Sequence, residues 1–478
     1  MPALPAELWL YIASFIPDDE ILQSRLIGVN LVFYNLVLEL RSQRYNTIRV
    51  ETVNTTTEAL LRQLRNPALA SHVRSLIVCP TSGFQSKAAA PSLWQKITSG
   101  YGYYAKAPLT VETIVDALVL VFPGLTGLTR FDVDLLDVSP EYDLQRFFRS
   151  AWAAFGAQLE RIYVAGRPEM FRRFVASDPR LVSCTTLMLR FTDELDTMSA
   201  RFDETLVTSV APFINSLAPQ LQTLTLWSWS TLDLSGLVLA LGHFPRLSKF
   251  NLRAPFNKAF SDPTGLSTLL ENHSATLDAV ELRLNPAGSA MDPNSEQVLG
   301  AWLLSHEARP RVLANLTLLR MYPTTLPIGF DALVMYIARS ARTLTTLAVK
   351  DRYFDLDEVA ALLAPIAHRA PDGGLEALRL NVRVWNTALF DLLAGTLPGL
   401  KSLTLYVGGS HPDRAARAQF FTEMQARSFA SWKLNDIGVW QGGSEVPSGT
   451  MRRLAECIPS VRSFWQNGHM LGDKKIYD

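Results

Sequence analysis

The sequence predicts an α/β chain: a three-helix N-terminal module, then a right-handed solenoid with parallel strands on its concave side and helices on its convex side. Three observations lead there. A six-residue pattern, apolar-x-x-apolar-x-apolar, recurs from residue 73 almost to the C-terminus. The stretches between its copies switch to the three-to-four apolar spacing of a helix. The first 45 residues carry helical spacing alone, punctuated by proline and glycine.

In chain order, Pro5 sits where a first helical position tolerates a missing amide, and Leu4, Leu8, Tyr11, Ile12 and Phe15 follow at helical spacing. Pro17 stops that helix. Asp18 or Asp19 caps a second one bearing Ile21, Leu22 and Leu26, which Gly28 ends. A third, opened by Asn30, runs through Phe33, Leu36, Val37 and Leu40. Three short helices bury little surface alone, so the module needs either an external partner or a place as the cap of the first repeat.

The strand pattern starts at Val73/Leu76/Val78 and continues with Leu128/Phe131/Val133, Leu159/Ile162/Val164, Cys184/Leu187/Leu189, Leu221/Leu224/Leu226 and Leu247/Phe250/Leu252. Leu277/Val280/Leu282, Leu313/Leu316/Leu318, Leu344/Leu347/Val349, Leu375/Leu378/Leu380, Leu400/Leu403/Leu405 and Leu434/Ile437/Val439 complete it. Alternation within each copy is what a half-buried strand requires. Apart from the first gap, copies start roughly 25 to 37 residues apart. Between them lie helical runs such as Val359, Leu362, Leu363 and Ile366 after Asp357. No such unit buries its apolar face alone, so the units stack through right-handed crossovers. The long first gap implies an insertion at about 80–108, rich in Gly, Ser, Ala and Pro. Its aromatics Phe84, Trp94, Tyr101, Tyr103 and Tyr104 leave two readings open, a recognition loop or lid and a plain solvated loop. The expected organisation is therefore residues 1–45 and 46–478.

Composition narrows the function. The 478 residues are 48% hydrophobic and 19% charged, with mean hydropathy +0.10, enough for one long core. Forty-five basic residues balance forty-five acidic ones, so no net positive potential draws the whole chain to nucleic acid or anionic lipid. The apolar run Leu8 to Ile16 has no basic residue before it, contains no leader-like n-region, and is closed by Asp18, Asp19 and Glu20. No stretch of eighteen apolar residues is available to span a bilayer. Cys79, Cys184 and Cys457 lack paired spacing and read as buried thiols of a reducing compartment, cytoplasmic or nuclear. The seven histidines show no ligand spacing, and neither a glycine-rich phosphate loop nor a Gly-x-Ser-x-Gly elbow occurs. The expectation is a non-catalytic protein with no metal and no cofactor.

A binding face is legible instead. Residues between and just after the inward strand positions face the other side of the sheet, namely Asp132 and Asp134, Arg190, Trp227 with Trp229, Arg253, Arg283, Arg379, Tyr406 and Trp440. Trp, Tyr and Arg anchor protein interfaces because each removes much area from water at modest entropic cost. Trp227, Trp229, Arg253, Arg283, Arg379, Tyr406 and Trp440 are thus the expected target-binding set. The competing reading packs Trp227 and Trp229 on a neighbouring strand or loop and leaves the arginines to keep the sheet soluble. No single dense run of arginines marks a phosphorylated target.

The string Leu4-Pro5-Ala6-Glu7-Leu8-Trp9, followed by Ile12, Phe15-Ile16-Pro17, an acid-rich turn, Leu22, Leu26, Val29-Asn30 and Phe33-Tyr34, resembles an F-box over about residues 3 to 45. The resemblance implies binding to a Skp-type adaptor, and through it to a cullin, by Leu4, Pro5, Leu8, Ile12, Ile16, Pro17, Leu22, Leu26 and Val29. Asn30 stands where that family often has cysteine, and Phe33-Tyr34 where it often has tryptophan. The repeats resemble the long, ribonuclease-inhibitor-like leucine-rich repeats. They lack a regular asparagine or cysteine after each strand; Asn285 and Asn381 lie near such positions without forming a ladder. Together the two resemblances imply an F-box/leucine-rich-repeat protein, the substrate-recognition subunit of a Skp–cullin–F-box ubiquitin ligase. The competing class is a repeat scaffold or inhibitor-like binder with no ligase connection.

Overall fold

The computed structural model describes residues 5–13, 15–16, 32–33, 45–81, 109–139, 141–192, 204–228, 232–256, 260, 262–284, 293–322, 324–367, 374–408, 414–441 and 444–464. They fall in two compact units, Met1–Leu221 and Gln222–Asp478. Both are built from parallel strands joined by helical connections, the arrangement that parallel pairing demands.

In the first unit five strands pair in chain order: β1 (Thr47–Thr52), β2 (Ser75–Thr81), β3 (Arg130–Asp134), β4 (Arg161–Gly166) and β5 (Thr186–Phe191). The connecting helices include Thr55–Gln63, Val111–Val121, Leu144–Phe155 and Pro168–Ala176, opened in turn by Asn54, Thr110 and Asp143 as side-chain caps and by Pro168 at the first turn. The core here is aromatic. Phe131 of β3 meets Phe122, Phe147, Trp152 and Phe155 at ring separations of 5.2 to 6.3 Å, and Phe148, Phe174 and Phe213 extend the cluster.

The second unit holds eight parallel strands: β6 (Thr223–Ser228), β7 (Lys249–Arg253), β8 (Ala279–Arg283), β9 (Leu318–Tyr322), β10 (Thr346–Phe354), β11 (Ala377–Val382), β12 (Ser402–Val407) and β13 (Asp436–Gln441). A short antiparallel strand, β14 (Ser444–Glu445), and a parallel one, β15 (Ser463–Phe464), both pair with β13. Its inward positions are mostly aliphatic, and Leu224, Leu347, Leu380, Leu403 and Leu405 are all fully buried. Each such side chain contributes roughly 1.5–3 kcal/mol by leaving water.

One backbone device repeats through both units. The carbonyl just before each strand accepts from two consecutive amides at the start of the next repeat. Arg74, Thr129 and Glu160 do so in the first unit, and Gln222, Ser248, Asp278, Thr317, Thr345, Glu376, Lys401 and Asn435 in the second. Threonine hydroxyls at Thr129, Thr185, Thr317 and Thr345 add a third donor. This carbonyl ladder does the stapling that a recurrent asparagine would otherwise do, which explains how the repeats stack without one.

The strand pattern is corrected at one copy and extended at two. Leu313/Leu316/Leu318 is out of register: Val280 pairs Leu319 and Leu282 pairs Met321, so the inward set is Leu316, Leu319 and Met321. Both triplets satisfy the same pattern, and only pairing with β8 decides between them. Leu313 instead turns the chain with φ 58°, buried in the loop before the strand. β1, with Ile48 and Val50 inward, and β15 were not expected. Pro80 and Thr81 belong to β2, and residues 82–108, where the insertion is expected, lie outside the described residues.

Candidate protein-binding surfaces

The first surface is the helix Ala6–Ala13. The Pro5 carbonyl accepts from the amides of Leu8 and Trp9 at 3.2 and 3.4 Å, so proline opens the helix as expected. One face is covered: Ala13 and Phe33 are buried, and Trp9 lies edge-on to Phe33 at 5.7 Å. The other face is bare. Leu8 is 48%, Tyr11 63%, Ile12 40% and Phe15 70% exposed, four large apolar side chains spaced 3, 1 and 3 residues apart. That spacing puts the three of them on the helix along a single stripe, continued by Phe15, whose ring meets Tyr11 at 4.9 Å. Exposed apolar patches of this kind mark interaction sites. Pro5 is exposed and Ile16 half-buried, whereas Leu4, Pro17, Leu22, Leu26 and Val29 lie outside the described residues.

The second surface runs across the strands of the second unit. Parallel register sets Trp227 beside Arg253, Arg253 beside Arg283, Glu281 beside Arg320, and Asn381 beside Tyr406 beside Trp440. The side chains contact one another in sequence. The Arg253 guanidinium lies over the Trp227 ring at 5.2 Å and donates to Glu281 through Nε and Nη2 at 2.9 and 2.8 Å. Glu281 also faces Arg320 Nη1 at 3.5 Å. Further on, Arg379 lies over Tyr406 at 4.4 Å, and Tyr406 stacks on Trp440 with centroids 5.6 Å apart and planes 6° from parallel. Between these groups sits Lys350 on β10. Burial first, then the guanidinium groups of Arg379, Arg283 and Arg253, push its ammonium down to about 7, with Glu281 opposing.

This arrangement changes two expectations. Trp227 and Trp440 were expected to stand in solvent; each is only 7% exposed, because neighbouring strand residues cover their rings. For Trp227 the packing alternative therefore describes what is seen, with Arg253 as the cover. Trp229 lies outside the described residues. The second change concerns charge. Arginines scattered along the sequence form no run, yet among the described residues the register gathers Arg253, Arg283, Arg320, Lys350 and Arg379 around the Glu281 carboxylate. Arg320 and Lys350 are not in the set expected from the sequence; a count of every outward strand position, rather than of the bulkiest residues, would have found them.

The first unit has a different face. Asp132 is 5% exposed and accepts from Arg130 Nε at 2.8 Å, while Asp134 stands 4.0 Å from Arg190. Burial raises the Asp134 carboxyl above the usual range despite Arg190. Tyr163, beside Asp132 in the register, is pushed up to about 12 and Cys79 up to about 11, burial again leading and the charge of Asp134 adding to it.

Behind the strands of the second unit lies a Ser–His pair that no sequence motif announces. Trp302 Nε1 donates to Ser267 Oγ at 2.9 Å, Ser267 meets His306 Nε2 at 2.9 Å, His306 Nδ1 meets Tyr336 at 2.5 Å, and the Tyr336 hydroxyl donates to the Leu303 carbonyl at 2.9 Å. With the Tyr336 hydroxyl donating to Leu303, a neutral imidazole protonated at Nδ1 satisfies each partner of the relay. Burial, with Arg309 and Arg339, holds His306 at about 4. A nucleophile needs a base within hydrogen-bond reach, which Ser267 has, but also a route to substrate. His306 is 1% exposed and Tyr336 not at all, so the relay braces helices Thr264–Asn272, Pro293–Ser305 and Pro327–Arg339. Among the described residues no group of His, Cys, Asp and Glu could hold a metal ion, and no helix is long and apolar enough to cross a membrane.

No protein-family model matches the chain, and no curated protein matches its sequence. Among solved structures, the chain is similar to one in the crystal structure of the Rad7 and Elc1 complex in yeast, at 12% identity and a TM-score of 0.35, over 79% of this chain and 76% of that one. The repeat-like α/β architecture described above rests on the strand register and the carbonyl ladder of this chain.

Proposed function

We propose that the chain is the substrate-recognition subunit of a Skp–cullin–F-box ubiquitin ligase, itself non-catalytic and working in the cytoplasm or nucleus. The observation that carries this reading is the bare stripe Leu8, Tyr11, Ile12 and Phe15, which falls inside the segment that resembles an F-box. A solenoid cap would turn those side chains inward. In the proposed arrangement the stripe docks in a groove of a Skp-type adaptor, in the manner of an amphipathic helix laid in an apolar groove. The strand faces hold the target protein, and rate enhancement comes from effective concentration and orientation of that target near a ubiquitin-charged partner.

The test is co-purification with a Skp-type adaptor. The double variant Pro5→Ala with Leu8→Asp should reduce recovery of the adaptor at least tenfold, a change of about 1.4 kcal/mol or more. The thermal unfolding midpoint of the repeats should stay the same. Undiminished recovery of the adaptor by the folded double variant would overturn the assignment, and target capture that persists with no adaptor bound to the wild-type chain would favour the scaffold or inhibitor-like class.

A further inference from the structure

We propose that His273 and His306 form a proton-sensitive latch among the helices of the second unit: as neutral imidazoles they tie three helices and a loop together, and on taking up protons they release them before the rest of the unit unfolds. This rests on the fold alone and depends on neither adaptor docking nor target capture.

The wiring of each ring decides what it tolerates. Phe244 is fully buried, and its backbone amide, which can only donate, gives its hydrogen to His273 Nε2 at 2.9 Å. The ring proton therefore sits on Nδ1, which donates to the Leu269 carbonyl at 2.7 Å. A second proton on Nε2 would set two donors face to face and leave the Phe244 amide without an acceptor, at a site where His273 is 1% exposed. His273 thus joins the loop before β7 to helix Thr264–Asn272. At His306, Ser267 takes the Trp302 N–H and gives its own hydrogen to Nε2, so a proton placed there deprives the hydroxyl of its acceptor. Through Ser267, Trp302 and Tyr336 this second ring joins the same helix to helices Pro293–Ser305 and Pro327–Arg339.

The charges around the rings reinforce the wiring. Both rings directly follow a helix C-terminus, where free carbonyls ordinarily favour an imidazolium. Other groups oppose that preference. His243, from the loop before β7, is stacked on His273 with centroids 5.0 Å apart, so charge on one ring repels charge on the other. His306 is faced by Arg309 from its own turn and by Arg339 from helix Pro327–Arg339. Arg339 donates to the carbonyls of His306, Glu307, Arg309 and Val312, so its guanidinium is pinned against the turn that a charged His306 would push away. Glu271 of helix Thr264–Asn272 is engaged by Arg309 at 3.0 Å, with both side chains largely in solvent. Burial first, and these neighbours next, lower both rings, His306 to about 4.

The architecture does not require an imidazole at a helix end. Directly after helix Pro327–Arg339 stands Ser340, whose hydroxyl donates to the Leu313 carbonyl at 2.7 Å. After helix Pro168–Ala176 stands Ser177, which accepts from Trp152 Nε1 and donates to the Phe174 carbonyl. Serine closes those turns with no charge to gain, so the two imidazoles make titratable what other repeats keep fixed. The sign follows from the lowered rings: between 6.5 and about 4 a released His306 holds a proton that the latched ring does not, so the latched state loses stability as pH falls through that window. Between pH 7 and pH 5, one ring shifted that far moves the opening equilibrium about twentyfold.

The experiment is backbone hydrogen exchange by mass spectrometry on the purified full chain at pH 7 and pH 5, corrected for the intrinsic rate at each pH. Protection of helices Thr264–Asn272, Pro293–Ser305 and Pro327–Arg339 should fall at least tenfold at pH 5, while helices Leu356–Leu363 and Thr387–Thr396 of the same unit keep theirs. The double variant His273→Gln with His306→Gln, folded by circular dichroism, should lose this pH response. Exchange of the imidazole C2 hydrogens in the wild-type chain gives a readout that needs no variant: both rings should titrate below the ordinary 6.5, His306 at about 4. Titration of both rings at or above 6.5, loss of protection spread evenly over the five helices, or an unchanged pH response in the folded double variant would overturn the proposal.

Discussion

The outward strand positions of the two units carry different chemistry on the same kind of backbone: mixed charge in the first, with Arg49, Arg130, Arg161 and Arg190 against Glu51, Asp132 and Asp134, and a cluster of cations in the second. In the first unit, Asp132 and Asp134 sit among Arg130, Arg190 and Tyr163, and the buried carboxyl of Asp134 is raised. In the second, the Glu281 carboxylate stands among Arg253, Arg283, Arg320, Lys350 and Arg379, and the buried amine of Lys350 is lowered. The two shifts have one cause: in each case burial disfavours the charged form more than the neighbouring opposite charge favours it. The difference lies in what could relieve it. A raised carboxyl is relieved by taking up a proton from water, but a crowd of guanidinium groups cannot lose charge near neutral pH. The lesson is that a stack of equivalent repeats can gather one kind of charge in one segment and a different mixture in another.

The contrast can be broken first at Glu281. Arg253 and Glu281 are 8% and 5% exposed in their side chains, so Glu281→Ala leaves a buried guanidinium without its counter-charge and should destabilise by about 3–5 kcal/mol. The matching change in the first unit, Asp132→Ala, leaves Arg130 with 31% of its side chain in water and should cost only about 1 kcal/mol. Urea unfolding of both variants measures the difference, and equal losses would mean that the two faces are energetically alike.

Lys350 sharpens the comparison from the other side. Its folded value of about 7 lies below the usual 10.5, so between those two values the unfolded chain holds a proton that the folded chain has released. Stability should therefore rise with pH across that window, and this contribution should vanish as pH falls through about 7. Lys350→Met should remove the slope and raise stability at pH 7 by roughly 2–4 kcal/mol. A pH-independent difference between variant and wild type would show that the ammonium is not strained.

The smallest effect is expected at Asp134. A raised carboxyl contributes stability at pH values below its usual range and loses that contribution as pH rises through the folded value, so Asp134→Asn should stabilise the chain at neutral pH by less than Lys350→Met does. The melting temperature at pH 7 checks the sign. A fall would mean that the Arg190 contact outweighs the desolvation of Asp134.

Most of the strand scaffold was written in local pattern. Eleven of the twelve expected copies mark strands in register, because a period of two against one of 3.6 is a property of neighbouring residues. The exception shows the limit: Leu316, Leu318 and Leu319 fit two registers three residues apart, and the choice belongs to β8. β1 was not expected although Tyr45, Ile48 and Val50 fit the pattern, since they directly follow the helical spacing of the first 45 residues. The N-terminal stripe was legible in the spacing of Leu8, Ile12 and Phe15. Its exposure was not, because exposure depends on whether anything else in the chain covers it.

What the sequence determined by itself was therefore periodicity: which residues face inward, where helices begin, and that the chain is built by repetition. Tertiary structure alone decided which outward residues meet. Arg253 and Glu281 are 28 residues apart in sequence and in contact through their side chains; Ser267, His306 and Tyr336 form one relay from three separate helical segments. Parallel pairing converts a separation of about one repeat into adjacency, and its register is fixed by the carbonyl ladder between repeats. A charge cluster assembled that way leaves no run in the sequence, because Arg253, Arg283, Arg320, Lys350 and Arg379 each come from a different strand.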